Sequence, residues 1–198
     1  MMVAVIDYNA GNTRSVMNAL SRLGVKAELT SDIDVIKSSD RMIFPGVGAA
    51  SWAMDELKKR ELIETIKEYQ RPFLGICLGM QLMNSFSEEG NVDLLNITAN
   101  KVRLFDKNVG VKIPHVGWNE VTFSSDPIFK NLREKEYFYF VHSYYVEYSE
   151  NTIATCFYDN VTFSAGLRKD NFYGFQFHPE KSGEVGEKLL KNFLEVSL

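Results

Sequence analysis

Short apolar runs alternate with segments of helical spacing over the first half of the chain, and this alternation constrains the fold more than any other feature of the sequence. The run from Val3 to Ile6 is typical of a buried strand, and Val16, Leu20 and Leu23 then recur at the spacing of a helix. Strands that alternate with helices predict a parallel sheet covered by helices on both faces. Further strands are predicted at 27–30, 41–44 and 72–76, and one or two amphipathic helices between 52 and 66.

The second half of the chain is richer in β-type runs. Residues 137–146, 153–158 and 172–177 predict additional, partly antiparallel strands, and the apolar spacing after Glu184 predicts a closing helix. The expected fold class is therefore α/β, an open and mostly parallel sheet flanked by helices, with additional antiparallel strands. A chain of 198 residues with 45% hydrophobic content can build one sizeable core, so we expect a single domain over residues 1–198.

Charge and hydropathy exclude several classes of function. The net charge is −4 and the pI is near 5.5, so nucleic acids and anionic membranes are not expected partners. No apolar run approaches the roughly 20 residues that span a bilayer, and no secretory leader is recognisable, so we expect a cytoplasmic protein. In a reducing compartment, Cys77 and Cys156 are expected to be free thiols.

The segment around Cys77 is the first candidate for chemistry. The cysteine stands where a buried strand is predicted to end and a helix to begin, between Gly75 and Gly79, which permit a sharp turn. A thiol at such a turn is exposed above the sheet, and the start of a helix favours its thiolate form. The alternative is a structural cysteine, because free cysteines are often buried.

A histidine and a carboxylate two residues apart form the second candidate. His178 follows an apolar strand and precedes Pro179, which holds it extended at the strand end, and Glu180 lies within reach of its ring. A thiol needs a base, and the base needs a group that holds its tautomer, so Cys77, His178 and Glu180 fit a catalytic triad. Without the cysteine, His178 would be read as an ordinary surface histidine.

Two other histidines, His115 and His142, are alternative bases. The three histidines of the chain form no ligand-like cluster, so no metal site is expected. The loop from Asp7 to Asn12 lacks both the three-glycine fingerprint and a Walker lysine, so we expect no nucleotide and no other cofactor.

A second pair of glycines follows the strand predicted at 41–44. The backbone N–H groups of Gly46, Val47 and Gly48 can approach a reacting carbonyl oxygen closely, because neither glycine carries a side chain. With the amide of Leu78 they would form an oxyanion hole. A plain tight turn is the alternative interpretation.

The residues from Gly75 to Gln81, together with those from Phe177 to Glu180, resemble the class I glutamine amidotransferases. Within that family, three segments resemble the glutaminase subunits of imidazole glycerol phosphate synthases, and the likeness covers essentially the whole chain. These segments are 114–119, 140–144 and 179–182.

The resemblance implies a function and a role for each site residue. Cys77 would attack the side-chain carbonyl of glutamine, His178 would transfer protons and Glu180 would orient His178. Glutamate and ammonia would result. Gly46, Val47, Gly48 and Leu78 would hold the oxyanion, and Gln81, Ser143 and Tyr144 would hold the substrate.

The resemblance also implies a partner. This is a cyclase subunit of (βα)8-barrel fold, which would form a heterodimer with this chain and use the ammonia in histidine biosynthesis. Trp118 and Asn119 would lie at the interface, and Tyr139 and Lys181 near the ammonia tunnel.

Three other functions remain open from the sequence. A paralogous amidotransferase subunit would supply ammonia for amino- or amidino-sugar synthesis in surface polysaccharide. A non-catalytic homologue would only regulate a partner. A cysteine peptidase of related architecture would have no reason for Gln81 or for the run from Pro179 to Ser182.

Overall fold

The computed structural model describes residues 1–9, 12–106, 112–158 and 160–197, and these form one mixed sheet with helices on both faces. The strands are β1 Met2–Ile6, β2 Lys26–Thr30, β3 Arg41–Gly46, β4 Phe73–Cys77, β5 Phe86–Ser87, β6 Val92–Asp93, β7 Lys101–Leu104, β8 His115–Phe123, β9 Lys135–His142, β10 Tyr144–Val146, β11 Thr152–Tyr158, β12 Val161–Lys169 and β13 Phe172–Phe175. The α-helices are α1 Thr13–Arg22, α2 Ile33–Ser38, α3 Ala50–Lys59, α4 Leu62–Lys67, α5 Leu78–Leu82 and α6 Gly183–Glu195. Short 3-10 turns cover Pro127–Phe129 and Pro179–Lys181.

Parallel and antiparallel pairing divide the sheet into two regions. The order β2-β1-β3-β4-β13 is parallel throughout, and β12 then pairs antiparallel with β13 and leads through β10 and β7 to the small strands β5 and β6. Strand β11 also pairs with β12, and it carries β8 and β9 in an antiparallel ribbon. The site described below lies where the parallel region meets this ribbon.

The core consists of two apolar layers, one on each face of the sheet. Side chains alternate along β1, so Val3 and Val5 pack into one layer while Ala4 and Ile6 pack into the other. Helices α1 and α6 cover the first layer, and α2 to α5 cover the second. This is the arrangement that a parallel sheet buried on both faces requires.

The fold class predicted from the sequence is confirmed. Each predicted strand of the first half is present within one or two residues, and the closing helix begins at Gly183. The run 137–146 proves to be two strands, β9 and β10, separated at Ser143. Asp32 is the N-cap of α2, because its carboxylate accepts hydrogen bonds from the N–H groups of Asp34 and Val35.

No helix in the described ranges has both the length and the apolar character needed to cross a membrane. Both cysteines are free thiols, as predicted, and both are buried.

The turn from β4 into α5 depends on Gly79, which packs directly against β3. A Cβ at this position would overlap the backbone carbonyl of Phe44. At Gly75, two residues before Cys77, an added Cβ would lie 2.6 Å from the backbone of Gly79. These two positions therefore admit no side chain, and the short helix can lie flat against the sheet only because both are glycine.

We expect Gly79→Ala to lower the free energy of unfolding by about 3 kcal/mol, since a backbone carbonyl cannot move aside as a flexible side chain can. Urea denaturation measures this loss. Gly24→Ala is the control, because Gly24 has a positive φ but no atom within 4 Å of an added Cβ. It should cost only about 1 kcal/mol for the strained backbone. Equal losses in the two variants would contradict the close-packing explanation.

Candidate active site

Three neighbouring parallel strands end at the same edge of the sheet and deliver the candidate catalytic residues there. Cys77 is the last residue of β4 and pairs in register with Gly46 at the end of β3. On the other side of β4 lies β13, and His178 follows it by three residues. Carboxyl ends of parallel strands are where open α/β sheets place their sites.

The backbone of Cys77 adopts φ 54° and ψ −108°, a conformation that L residues rarely take. It turns the chain sharply from β4 into α5 and places the thiol at the edge of the core, where it borders a cavity. The sulfur lies 3.8 Å from the carbonyl oxygen of Val141, and the amide Nε2 of Gln176 lies 3.6 Å from the sulfur. Such strain persists where the surrounding structure enforces it, which is common at catalytic nucleophiles.

His178 is held from two directions. Its Nδ1 donates to Glu180 Oε1 at 2.8 Å, which leaves Nε2 to face the thiol side of the ring. Its backbone N–H donates to the carbonyl of Tyr139 at 2.9 Å, and its carbonyl accepts from the Ser182 hydroxyl at 2.7 Å. The proton on Nδ1 and the orientation of the ring are therefore fixed.

The pKa of His178 is raised to about 10. Burial is the largest single influence and lowers the pKa, but the negative charge and hydrogen bonding of Cys77, together with the Glu180 carboxylate, outweigh it. The site therefore favours the protonated imidazolium form of His178 beside Cys77. This is the form from which a histidine donates its proton.

The carboxylate of Glu180 is buried and is itself positioned by Asn12, whose Nδ2 donates to Oε1 at 2.9 Å. Asn12 is the residue at the start of α1, in a left-handed conformation. The loop after β1 therefore supports the third member of the candidate triad.

A cavity of about 270 Å³ opens in front of Cys77. Its wall includes one carboxylate, that of Glu89, which accepts from the backbone N–H of Ala50 at 2.9 Å. Burial raises the pKa of this carboxyl. The residues lining the cavity are Val47, Gly48, Cys77, Leu78, Gln81, Glu89, Pro114, Val141, His142, Ser143 and Tyr144.

The residues predicted for the oxyanion and the substrate come together around this cavity. Val47 and Gly48 form one side of it, and Gly48 has φ 108°, which favours glycine. Gly46 lies behind them, against the hydroxyl of Tyr8, which donates to the carbonyl of Pro45. Leu78, Gln81, Ser143 and Tyr144 form the opposite walls.

The alternative bases, His115 and His142, bind each other. Nδ1 of His115 lies 2.9 Å from Nε2 of His142, and Nδ1 of His142 lies 2.7 Å from the carbonyl oxygen of Tyr144. Both ring nitrogens of His142 are therefore engaged, and neither is free to take the thiol proton. The structure thus favours His178 over His142 as the partner of Cys77.

The four residues predicted at a partner interface or tunnel differ in their surroundings. Trp118 is 56% exposed on β8, and Lys181 places its ammonium 6.0 Å from the ring centroid of Tyr139. Asn119 is turned inward instead, since its amide lies 3.3 Å from His115 Nε2 and donates to the carbonyl of Phe157 at 3.1 Å.

Sequence reasoning missed three residues of the site, namely Asn12, Gln176 and Glu89. Gln176 carried a signal, because it is the one amide side chain in the run of aromatic residues and glycine from Phe172 to Phe177. Asn12 and Glu89 carried none, since their partners lie far away along the chain.

Known proteins resemble this chain over nearly its whole length. A profile of the family described as "Glutamine amidotransferase class-I" matches residues 4–196. The imidazole glycerol phosphate synthase subunit HisH of Bacteroides fragilis is 55% identical over 197 residues, which cover 99% of this chain and 100% of that protein. The subunit of the same name from Haemophilus influenzae is 49% identical over 194 residues, 98% and 96% of the two chains. Among solved structures, PurLQS from Thermotoga maritima matches with a TM-score of 0.73 at 19% identity, over 98% of this chain and 97% of that one, which supports the fold.

We expect His178 to stay protonated in the isolated protein across the range between its ordinary pKa of 6.5 and about 10. The nitrogen chemical shifts of the ring, followed by NMR during a pH titration, report this directly. In Cys77→Ser the pKa should fall, because the negative charge that offsets burial is lost. A neutral His178 ring near pH 8 in the unaltered protein would contradict the thiolate–imidazolium pair.

Proposed function

The chain belongs to the class I glutamine amidotransferases, and on that basis we propose that it is the glutaminase subunit of an imidazole glycerol phosphate synthase in histidine biosynthesis. Relatives of that name match it over nearly their whole length. The observation that carries the chemical part of the proposal is the buried group of Cys77, His178 and Glu180, in which Cys77 lines a cavity.

The first half of the reaction would form a thioester. The Cys77 thiolate attacks the side-chain amide carbon of glutamine, and the carbonyl oxygen takes the negative charge. The His178 imidazolium then gives its proton to the amide nitrogen, so the carbon–nitrogen bond breaks and ammonia leaves. Glu180 accepts from the Nδ1–H group of His178, so the proton that is transferred is the one on Nε2.

The second half would release glutamate. Neutral His178 takes a proton from water, and the resulting hydroxide adds to the thioester carbon. The tetrahedral intermediate expels the thiolate, so the thiolate–imidazolium pair is restored and glutamic acid leaves as glutamate. One glutamine and one water thus give one glutamate and one ammonium ion.

A negative charge in the cavity wall would help to hold the positively charged end of the substrate. Glutamine carries an α-ammonium group, and Glu89 supplies a carboxylate in the wall of the cavity. Burial raises the pKa of this carboxyl, and a bound ammonium would offset that effect. Val47, Gly48 and Leu78 border the thiol, where the oxyanion would form.

The partner would dock on the outer face of β8 and β9. Val116, Trp118 and Tyr137 are each more than half exposed there, and large exposed apolar side chains on one face mark a protein-binding surface. The backbone of Tyr139, on the same ribbon, contacts that of His178. A (βα)8-barrel cyclase bound at this face, forming a cytoplasmic heterodimer, would receive ammonia from the adjacent triad.

Two of the other functions are less well supported. A sugar-modifying paralogue would use the same triad, but the full-length relatives described above carry the histidine-pathway name. A purely regulatory homologue would have no need of a buried Cys–His–Glu line and an open cavity in front of it.

Replacing Cys77 with Ala should reduce glutamine-dependent formation of imidazole glycerol phosphate by at least about a thousandfold, because no other group forms the thioester. Turnover with added ammonium should persist, since the cyclase is untouched. The assay mixes this chain with its cyclase, glutamine and the ribulosyl nucleotide. Cys156→Ala is the matched control and should remain active, because burial keeps that thiol protonated with a pKa of about 12. Loss of both activities in Cys77→Ala would contradict the proposal.

Replacing Trp118 with Ala should weaken binding of the cyclase by about 2 kcal/mol, the effect of a central aromatic anchor, while the isolated chain stays folded. Isothermal titration calorimetry measures the affinity. Tyr148→Ala is the control, since Tyr148 is 68% exposed and lies in the loop between β10 and β11 rather than on β8 or β9. The start of β11 lies past the end of β8, where the carbonyl of Ile153 accepts from the N–H group of Ser124. If the two variants bind equally well, the outer face of β8 is not the docking surface.

A further inference from the structure

A continuous line of hydrogen bonds runs from β8 to the sulfur of Cys77, and it passes through two histidines that the proposed reaction does not use. His115 and His142 are directly opposite each other in the β8–β9 pair. Asn119 Nδ2 lies 3.3 Å from His115 Nε2, and His115 Nδ1 lies 2.9 Å from His142 Nε2. His142 Nδ1 lies 2.7 Å from the carbonyl oxygen of Tyr144.

The two ends of this line fix the direction of every bond in it. The Tyr144 carbonyl can only accept, so His142 carries its proton on Nδ1 and accepts at Nε2 from His115. The Asn119 amide nitrogen can only donate, and it is oriented by a second bond to the carbonyl of Phe157 at 3.1 Å. Both imidazoles are therefore neutral, and each has a single tautomer.

Burial reinforces this assignment. It lowers the pKa of His115 to about 4 and that of His142 to about 3, although the hydrogen bond to the Tyr144 carbonyl acts on His142 in the opposite direction. A proton added to His142 Nε2 would face the Nδ1–H group of His115 across 2.9 Å, and one added to His115 Nε2 would face the Asn119 amide across 3.3 Å.

The line continues inward from the same carbonyl. Tyr144 also accepts from Gln81 Nε2 at 3.0 Å, and Gln81 Nε2 donates its other proton to Gln176 Oε1 at 3.0 Å. Gln176 is thereby left with its Nε2 pointing at Cys77 Sγ, 3.6 Å away. A flipped Gln81 would set its oxygen against the Tyr144 oxygen, so the amide pair has one favourable orientation.

We propose that His115 and His142 are positioning residues for the nucleophile. Their fixed tautomers hold the Tyr144 carbonyl in place. That carbonyl orients Gln81, and Gln81 orients Gln176, whose N–H group points at the Cys77 thiolate. The inference rests on the glutaminase site proposed above and adds residues outside its triad. An N–H group aimed at a thiolate stabilises the charged form, so loss of this line should move the pH at which Cys77 becomes reactive.

The experiment measures the rate at which iodoacetamide alkylates Cys77 in the full chain as a function of pH. Peptide mass mapping separates Cys77 from Cys156, which is buried and unreactive in this range. Iodoacetamide reports the thiolate alone, and it needs neither glutamine nor a partner. Circular dichroism checks that each variant is folded.

His142→Phe keeps the ring volume and removes both hydrogen bonds, so the midpoint of its pH profile should move upward by about one pH unit. His142→Asn keeps an N–H group beside the Tyr144 carbonyl and should recover part of the rate. His115→Phe should move the profile in the same direction by less, since its ring stays stacked between Tyr158 and Phe140.

Phe163→Leu is the matched control. Its ring packs edge-on against both histidines, with centroids 6.1 Å from His115 and 5.2 Å from His142, but it takes no part in the hydrogen bonds. The substitution disturbs the same packing and should leave the profile unchanged.

Equal shifts in Phe163→Leu and His142→Phe, or no shift in His142→Phe, would overturn the proposal. If His142→Phe does not fold, His115→Phe decides the question, and an unmoved profile there has the same meaning. The glutaminase assignment is judged separately, since it fails only if the unaltered chain with its cyclase releases no glutamate.

Discussion

Two buried opposite charges determine how the rest of this site must be built. Burial alone would keep the His178 ring neutral, yet the charge of Cys77 and the Glu180 carboxylate raise its pKa to about 10. That balance holds only at short range, so the histidine, the thiol and the carboxylate must be fixed in place. The strained turn at Cys77, the backbone bond from His178 to Tyr139 and the Asn12 bond to Glu180 each supply part of that fixation.

The two regions of the sheet contribute different walls of the site. The parallel strands β3, β4 and β13 end side by side and bring the backbone of Gly46, the thiol of Cys77 and the ring of His178 to one edge. Val141 and His142 of the antiparallel ribbon, together with Tyr144 of β10, form the opposite wall of the cavity. The site is therefore assembled between two differently paired regions of one sheet.

The sequence contained enough to predict the parts that rest on local rules. Glycines around Cys77 and a proline after His178 constrain the backbone within a few residues, so the strand ends and the three candidate groups were predictable. The bond between His115 and His142 was not, because it arises from the register of β8 against β9 across 27 residues. Asn12 reaches Glu180 across 168 residues, and no local pattern encodes such a contact.

The outer face of β8 and β9 also bears on how such a protein must be produced. In a chain without a partner, Val116, Trp118 and Tyr137 are in contact with water, and exposed apolar strands are prone to pair with other copies. Under the docking proposed above, every molecule made in excess of its partner would leave this apolar face uncovered. Balanced synthesis of the two subunits would therefore protect solubility as well as catalysis. A surplus of this chain would be expected to aggregate more the longer its apolar face stays exposed.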